Sequence, residues 1–156
     1  MSSGVHVRES IEIARPMDEV WDAVADYGFD RKWRKGLTEM TPDPPGGPAI
    51  GTKVHEVVHN SGRDYVADTV VTALDPGVSY EFSGAGTIGG LSGGRSVRAN
   101  GDGTGAVFTY EIRLQPAGGM RLLRPVLGRM VRSGLRKDLT RLRARLEGDD
   151  TEPPSN

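Results

Sequence analysis

Polar and apolar residues alternate one by one near the start of the chain. Val5, Val7, Ile11 and Ile13 are interleaved with His6, Arg8, Ser10 and Glu12, the period of two that marks a strand with one buried face. Pro16 then suits the first turn of a helix, because its ring fixes φ near the helical value. Val20, Trp21, Val24 and Ala25 recur at helical spacing up to about Asp26, and Gly28 interrupts the pattern. A second short helix over roughly residues 30–35 carries Trp33.

From there the pattern turns to strands. A short one near 37–41 precedes the loop PDPPGGPAIG (42–51), where Pro and Gly exclude regular structure. Strand-like runs follow at about 51–59, 64–74, 78–83, 94–100 and 105–114. They are separated by NSGR (60–63), LDPG (74–77) and NGDGTG (100–105), all rich in hairpin-turn residues. Short strands joined in this way form an antiparallel meander. After Met120 the period lengthens: Leu123, Leu127, Met130, Val131, Leu135, Leu139, Leu142 and Leu146 fall three or four apart, the stripe of a long amphipathic helix. Pro125 either kinks this helix or marks where its regular part begins. Residues 148–156, GDDTEPPSN, read as a disordered acidic tail. The chain is thus one domain over 1–147.

Alternation also assigns faces. Val78, Tyr80 and Phe82 share one side of their strand, and Ala106, Phe108, Tyr110, Ile112 and Leu114 share one side of the last. Both sets are expected to face the C-terminal helix, whose stripe is long enough to cover a sheet. Arg95 is in phase with Val97 and Ala99, which points a guanidinium inward, where it must find an anion or several acceptors. Two partners fit: Glu9, in phase with Val7 and Ile11, or an acidic or carbonyl group on a ligand. The strands at 51–59 and 64–74 carry polar residues in both phases, so their faces stay unassigned.

Composition narrows the function. A formal net charge of −1 in 156 residues gives no general affinity for nucleic acid. No cysteine is present, which removes disulfides, thiol catalysis and cysteine-bound metal. No run of about 18 apolar residues predicts a membrane span, and MSSGVHVRES is unlike a secretory signal, so the cytoplasm is the expected compartment. Neither a metal nor a cofactor is expected. His55 and His59 share a strand face but stand about 13 Å apart at about 3.3 Å per residue, too far to bind one ion.

Two motifs fail their context. Gly84-Ala85-Gly86-Thr87-Ile88-Gly89 matches the dinucleotide fingerprint GxGxxG, yet no helix follows to receive a pyrophosphate. Gly90-Leu91-Ser92-Gly93-Gly94 matches the hydrolase elbow GxSxG, yet no helix follows and all three histidines precede Ser92. Both are read as one flexible glycine-rich loop, a candidate gate for a pocket.

The order of strand, helix pair, six-stranded meander and long closing helix resembles the START-like, Bet v 1-like (SRPBCC) superfamily. The text is similar to its polyketide cyclase/dehydrase and lipid-transport branch. The likeness rests on SIEIARPMDEVWDAVADYGFDRKW (10–33), the strand start at Gly51, Leu74-Asp75-Pro76, the Asn100–Gly105 hairpin and the Leu-rich final helix. It implies an α+β helix-grip fold: a curved antiparallel sheet of about seven strands, two short helices after the first, and a long C-terminal helix on the concave face. It also implies that Trp21 packs beneath the sheet and that Trp33 stands near a cavity mouth, as lining or as plain packing.

The leading expectation is binding of a small hydrophobic ligand, lipid or polyketide-like, in a cavity between the sheet and the C-terminal helix, walled by Trp33, Tyr80, Phe82, Arg95, Phe108, Tyr110, Leu123, Leu127 and Met130. A polyketide cyclase, aromatase or dehydratase is the enzymatic alternative, with Arg95, Tyr110 and His55 as candidates for polarising a carbonyl or moving protons. A third reading uses the final helix itself. Nine basic residues against Asp138 alone between Arg121 and Arg145 would suit an anionic membrane surface or an acidic partner. Oligomeric state is not readable.

Overall fold

The computed structural model describes residues 4–148. Its strands are β1 (Val5–Ile13), β2 (Leu37–Asp43), β3 (Lys53–Asn60), β4 (Arg63–Asp75), β5 (Ser79–Gly86), β6 (Gly89–Ala99) and β7 (Ala106–Pro116). All neighbours pair antiparallel, in the order β1-β7-β6-β5-β4-β3-β2. Helix α1 (Met17–Val24) and a 3-10 turn, Tyr27–Lys32, follow β1; a second 3-10 turn, Gly118–Leu123, leads into α2 (Arg124–Leu146). This is the helix-grip architecture, a curved seven-stranded sheet closed by one long helix.

The first two strands occupy opposite edges of the sheet. The chain between them must therefore cross the whole concave face, and that crossing carries α1 and the 27–32 turn. Asp26 begins the turn by accepting the amide hydrogen of Gly28 at 2.9 Å. The short helix expected at 30–35 is this earlier, tighter turn, and Trp33 is the residue that ends it.

The hairpin NSGR closes as a two-residue turn, with Ser61 and Gly62 both at positive φ (53° and 79°), the handedness that matches strand twist. Register shifts at Val71/Ala73 and Leu37/Glu39 bend the sheet, since a bulge shortens one strand against its partner. Pro125 lies in the first turn of α2 and marks its start. Leu127, Leu135, Leu139 and Leu142 of α2 are buried against Val5, Val7, Val97, Ala106, Phe108 and Leu114. Tyr27, Val54, Val71 and Tyr80 form a second, smaller core cluster.

The glycine-rich segment is not a flexible loop. Residues 84–86 finish β5 and 89–94 begin β6, with only Thr87 and Ile88 between the two strands. A Cβ at Gly84 would lie 2.0 Å from the Asp68 carbonyl oxygen, and one at Gly93 would lie 2.1 Å from that of Glu111. These glycines let adjacent strands approach closely, and neither motif is followed by the helix its chemistry requires. The proposed acidic tail, apart from Gly148, lies outside the described residues.

Candidate functional site

Between the two core clusters the sheet and α2 leave a hollow of about 210 Å³. Val58, Phe82, Leu91, Ile112, Leu114 and Val131 give it apolar walls; Arg34, Glu56 and Tyr110 are the polar groups at its inner side. It opens where the 60–63 hairpin, the 86–89 turn and the first turns of α2 converge. There the exposed Asn60 and Met130 also line it, with the Asn60 amide 3.9 Å from the Met130 sulfur. Deeper lies a second hollow of about 20 Å³ walled by Tyr27, Thr69, Tyr80 and Arg95, which shares Glu56, Phe82 and Tyr110 with the first. A larger hollow of about 610 Å³, between β1 and the start of α2, is an open trough edged by Arg121, Arg124, Arg129 and Arg132. It encloses nothing.

The faces left unassigned from sequence are settled by pairing. Val54 lies opposite Thr69, Glu56 opposite Ala67, and Val58 opposite Tyr65, and these line the hollows. His55, opposite Asp68, is therefore on the convex side, with its Nδ1 2.6 Å from the Asp68 carboxylate. That hydrogen bond, reinforced by the charges of Asp68, Glu39 and Glu56, holds the imidazole pKa above its ordinary value despite some desolvation. As a proton shuttle for the cavity His55 is on the wrong face of the sheet.

Arg95 does point inward, and the carboxylate it meets is that of Asp30, not that of Glu9. Cross-strand register sets Glu9, Tyr110, Arg95 and Tyr80 in one row over four adjacent strands. Glu9 is thus two strands from Arg95, about 10 Å at the usual spacing, with the Tyr110 side chain between. Glu9 instead meets α2, accepting from Arg136 at 3.0 Å. The anion for Arg95 comes from the crossing segment. Asp30, fully buried, takes Nη1 at 2.9 Å and Nη2 at 2.5 Å, and the Val24 carbonyl takes Nη1 at 2.9 Å. Asp30 also accepts from Arg34 at 3.2 Å, and Arg34 donates to Glu56 at 2.7 Å. Two guanidinium and two carboxylate groups thus form an electroneutral chain along the inner end of the cavity.

Aromatic rings enclose the buried cation. The Arg95 guanidinium carbon is 4.6 Å from the centre of Tyr110, 5.0 Å from Trp33 and 6.0 Å from Tyr80, within reach of their negative π faces. Burial opposes both arginine charges, but the neighbouring carboxylates, Asp30 for Arg95 and Glu56 first for Arg34, outweigh it and hold each pKa above its usual value. Burial likewise pushes the Tyr27 phenol up to about 12 and raises Tyr80 well above its ordinary value. Both phenols are neutral at physiological pH.

The other expected wall residues divide by depth. Phe82, Tyr110 and Met130 line the outer hollow, and Tyr80 and Arg95 the inner one. Phe108 and Leu127 are buried in the main core and border neither hollow. Leu123 precedes α2 and is 46% exposed. Trp33 is 1% exposed and meets Phe108 edge-on at 6.2 Å, so it belongs to the core and not to the mouth. Trp21, half-buried, sits edge-on to Tyr80 at 6.3 Å.

Sequence reasoning missed Tyr27, Asp30, Arg34 and Glu56. The one available signal was that an inward Arg needs an anion, together with the i,i+4 spacing of Asp30 and Arg34.

The sequence matches the family described as "Polyketide cyclase / dehydrase and lipid transport" over residues 4–147, and the chain belongs to that family. No curated protein matches it. Among solved structures it is similar to the ZhuI aromatase/cyclase from Streptomyces sp. R1128, at 16% identity and TM-score 0.76 over 98% of this chain and 99% of that one. It is also similar to TTHA0849 from Thermus thermophilus, at 15% identity and TM-score 0.77 over 94% and 99%. A START superfamily protein from Mycobacterium smegmatis matches at 15% identity and TM-score 0.71 over 91% and 97%. Identities this low speak to the fold alone.

Proposed function

We propose that this protein binds a small, largely apolar molecule in the outer hollow. One observation carries the reading: about 210 Å³ of open space with mainly apolar walls, at a point where a curved sheet and its helix could have closed on each other. An apolar cavity of about 150 Å³ is enough to take up benzene. A two-ring aromatic burying about 200 Å² would gain about 5 kcal/mol at about 25 cal/mol per Å² before the costs of association are met. A long acyl chain or an extended polyketide exceeds the hollow and would project through the mouth past Met130. Titration with naphthalene tests this directly. Saturable binding is expected for the native chain and not for Leu91→Trp, which fills the hollow from its wall. Equal binding by both proteins would refute the site. Native mass spectrometry of protein taken from its own host would name the guest class.

Cyclase chemistry in the same cavity would fall to Tyr110 and the Arg34–Glu56 pair. Arg95 is committed to Asp30 and the Val24 carbonyl, and His55 faces away.

A docking role for the mouth has its own support. Leu122 (87% exposed), Leu123, Val126 and Met130 place exposed apolar surface on residues 122–130, flanked by Arg121 and Arg129. Apolar side chains ringed by cations suit an anionic bilayer. Only part of the basic helix is available for this, since Arg132 and Arg136 meet Glu9 and Arg141 meets Asp138. Sedimentation with phosphatidylserine vesicles is expected to fall with added salt and with Leu122→Asp. Binding indifferent to both would end this reading. Among the described residues no helix is long and apolar enough to cross a membrane.

A further inference from the structure

The inner hollow holds polar atoms that the protein itself leaves unmatched. Tyr27 is 3% exposed and Arg95 2%, and both line this space. Neither the Tyr27 hydroxyl nor the Arg95 Nε has a hydrogen-bond partner within the described residues. Buried polar atoms are rarely left this way, because desolvation without a partner is costly. A water needs a site of at least about 10–15 Å³ with two or more polar neighbours. The inner hollow, at about 20 Å³, meets that size once and offers Tyr27, Thr69, Glu56 and Tyr110 as neighbours. It shares Glu56, Phe82 and Tyr110 with the apolar hollow outside it, so these three side chains mark the boundary between the two.

We propose that the inner hollow is a head-group subsite for one uncharged oxygen, a hydroxyl or a carbonyl, on a guest whose apolar body fills the outer hollow. This rests on the cavity reading above and narrows it to a chemical class. Two features select against an anion. Every charge at this end is already matched, Arg95 and Arg34 by Asp30 and Glu56, so an ionised guest would be buried without a counter-charge. The volume also admits one oxygen, where a carboxylate has two and a phosphate more. A neutral oxygen meets both conditions, since the Tyr27 hydroxyl donates or accepts and the Arg95 Nε donates. With no guest bound, a single water would take the same place.

The test compares naphthalene, 2-naphthol and 2-naphthoate on the native full chain and on Tyr27→Phe, which keeps the ring against Tyr80 and removes only the hydroxyl. On the native chain 2-naphthol is expected to bind about three- to tenfold tighter than naphthalene, the worth of one hydrogen bond, and 2-naphthoate weaker than both. Tyr27→Phe should abolish most of the naphthol advantage and leave the naphthalene affinity unchanged. Should that variant fail to fold, the order of affinities on the native chain, naphthol above naphthalene above naphthoate, tests the subsite by itself. Naphthalene binding with no gain for naphthol, a gain that survives loss of the hydroxyl, or tighter binding of naphthoate would each overturn the subsite alone. Naphthalene failing to bind would overturn the cavity reading, and the subsite with it.

Discussion

Replacing Asp30 by Asn tests the electrostatic account of the cavity end most sharply. Asn keeps the size and some of the hydrogen bonding but removes the negative charge. Asp30 has no exposed surface and Arg95 is 2% exposed. The variant therefore strands a guanidinium inside the protein and weakens the hold on Arg34, which would keep only Glu56 as its anion. Removing one member of a buried ion pair costs about 3–5 kcal/mol, because the remaining charge is desolvated without compensation. That is a large share of the about 5–15 kcal/mol that holds a typical domain together. Urea unfolding is the assay. With a slope of about 2 kcal/mol per molar, the midpoint should drop by about 1.5–2.5 M at unchanged slope. Asp30→Asn combined with Arg95→Met should recover part of the loss, since an apolar replacement leaves no stranded cation at that position. A midpoint shift below about 0.5 M for Asp30→Asn would refute the reasoning, and the Arg95 charge would not depend on Asp30 for its compensation.

Other outcomes follow from the same geometry. Trp33→Ala should cost about 3–5 kcal/mol, as for other fully buried large aromatics, and should abolish the blue-shifted component of tryptophan emission. A fluorescence and urea-melt comparison with Trp21→Ala checks both. The Tyr27 phenol, at about 12, is raised in the fold, so its contribution to stability is present below about pH 10 and lost as pH rises towards 12; ultraviolet titration should show its ionisation coinciding with alkaline unfolding. His55 is likewise raised by Asp68. Its contribution is complete below about pH 6.5 and disappears as pH climbs through the raised value. It is small, because the pair is solvent-exposed, and NMR titration of His55 should move to lower pH in Asp68→Asn.

Local pattern carries the architecture of this chain almost completely. A strand's period of two, a helix's stripe and a hairpin's turn residues are short-range consequences of sterics and burial. The seven strands, both helices and the hairpin at Asn60–Arg63 could therefore be read before any coordinates. The inward direction of Arg95, Tyr110 and Phe82 followed from the same alternation. Where one strand face is not plainly apolar, alternation says nothing; in β3 it is the fold that turns Glu56 inward beside Val54 and Val58.

What only the tertiary structure decided is which partners meet. Asp30 sits in the run FDRKWRK, which reads as a solvated surface. It is buried because β1 and β2 lie at opposite edges of the sheet, so the segment joining them must cross the concave face and carry Asp30, Trp33 and Arg34 with it. The motif glycines at 84–94 read as a loop for a related reason. Their use is to admit neighbouring backbones, Asp68 and Glu111, that no local window contains. Composition and period fix how each segment folds against its own neighbours in sequence. Which charge is neutralised, and which volume stays open, depends on contacts between distant segments, and those exist only once the sheet has curved around its helix.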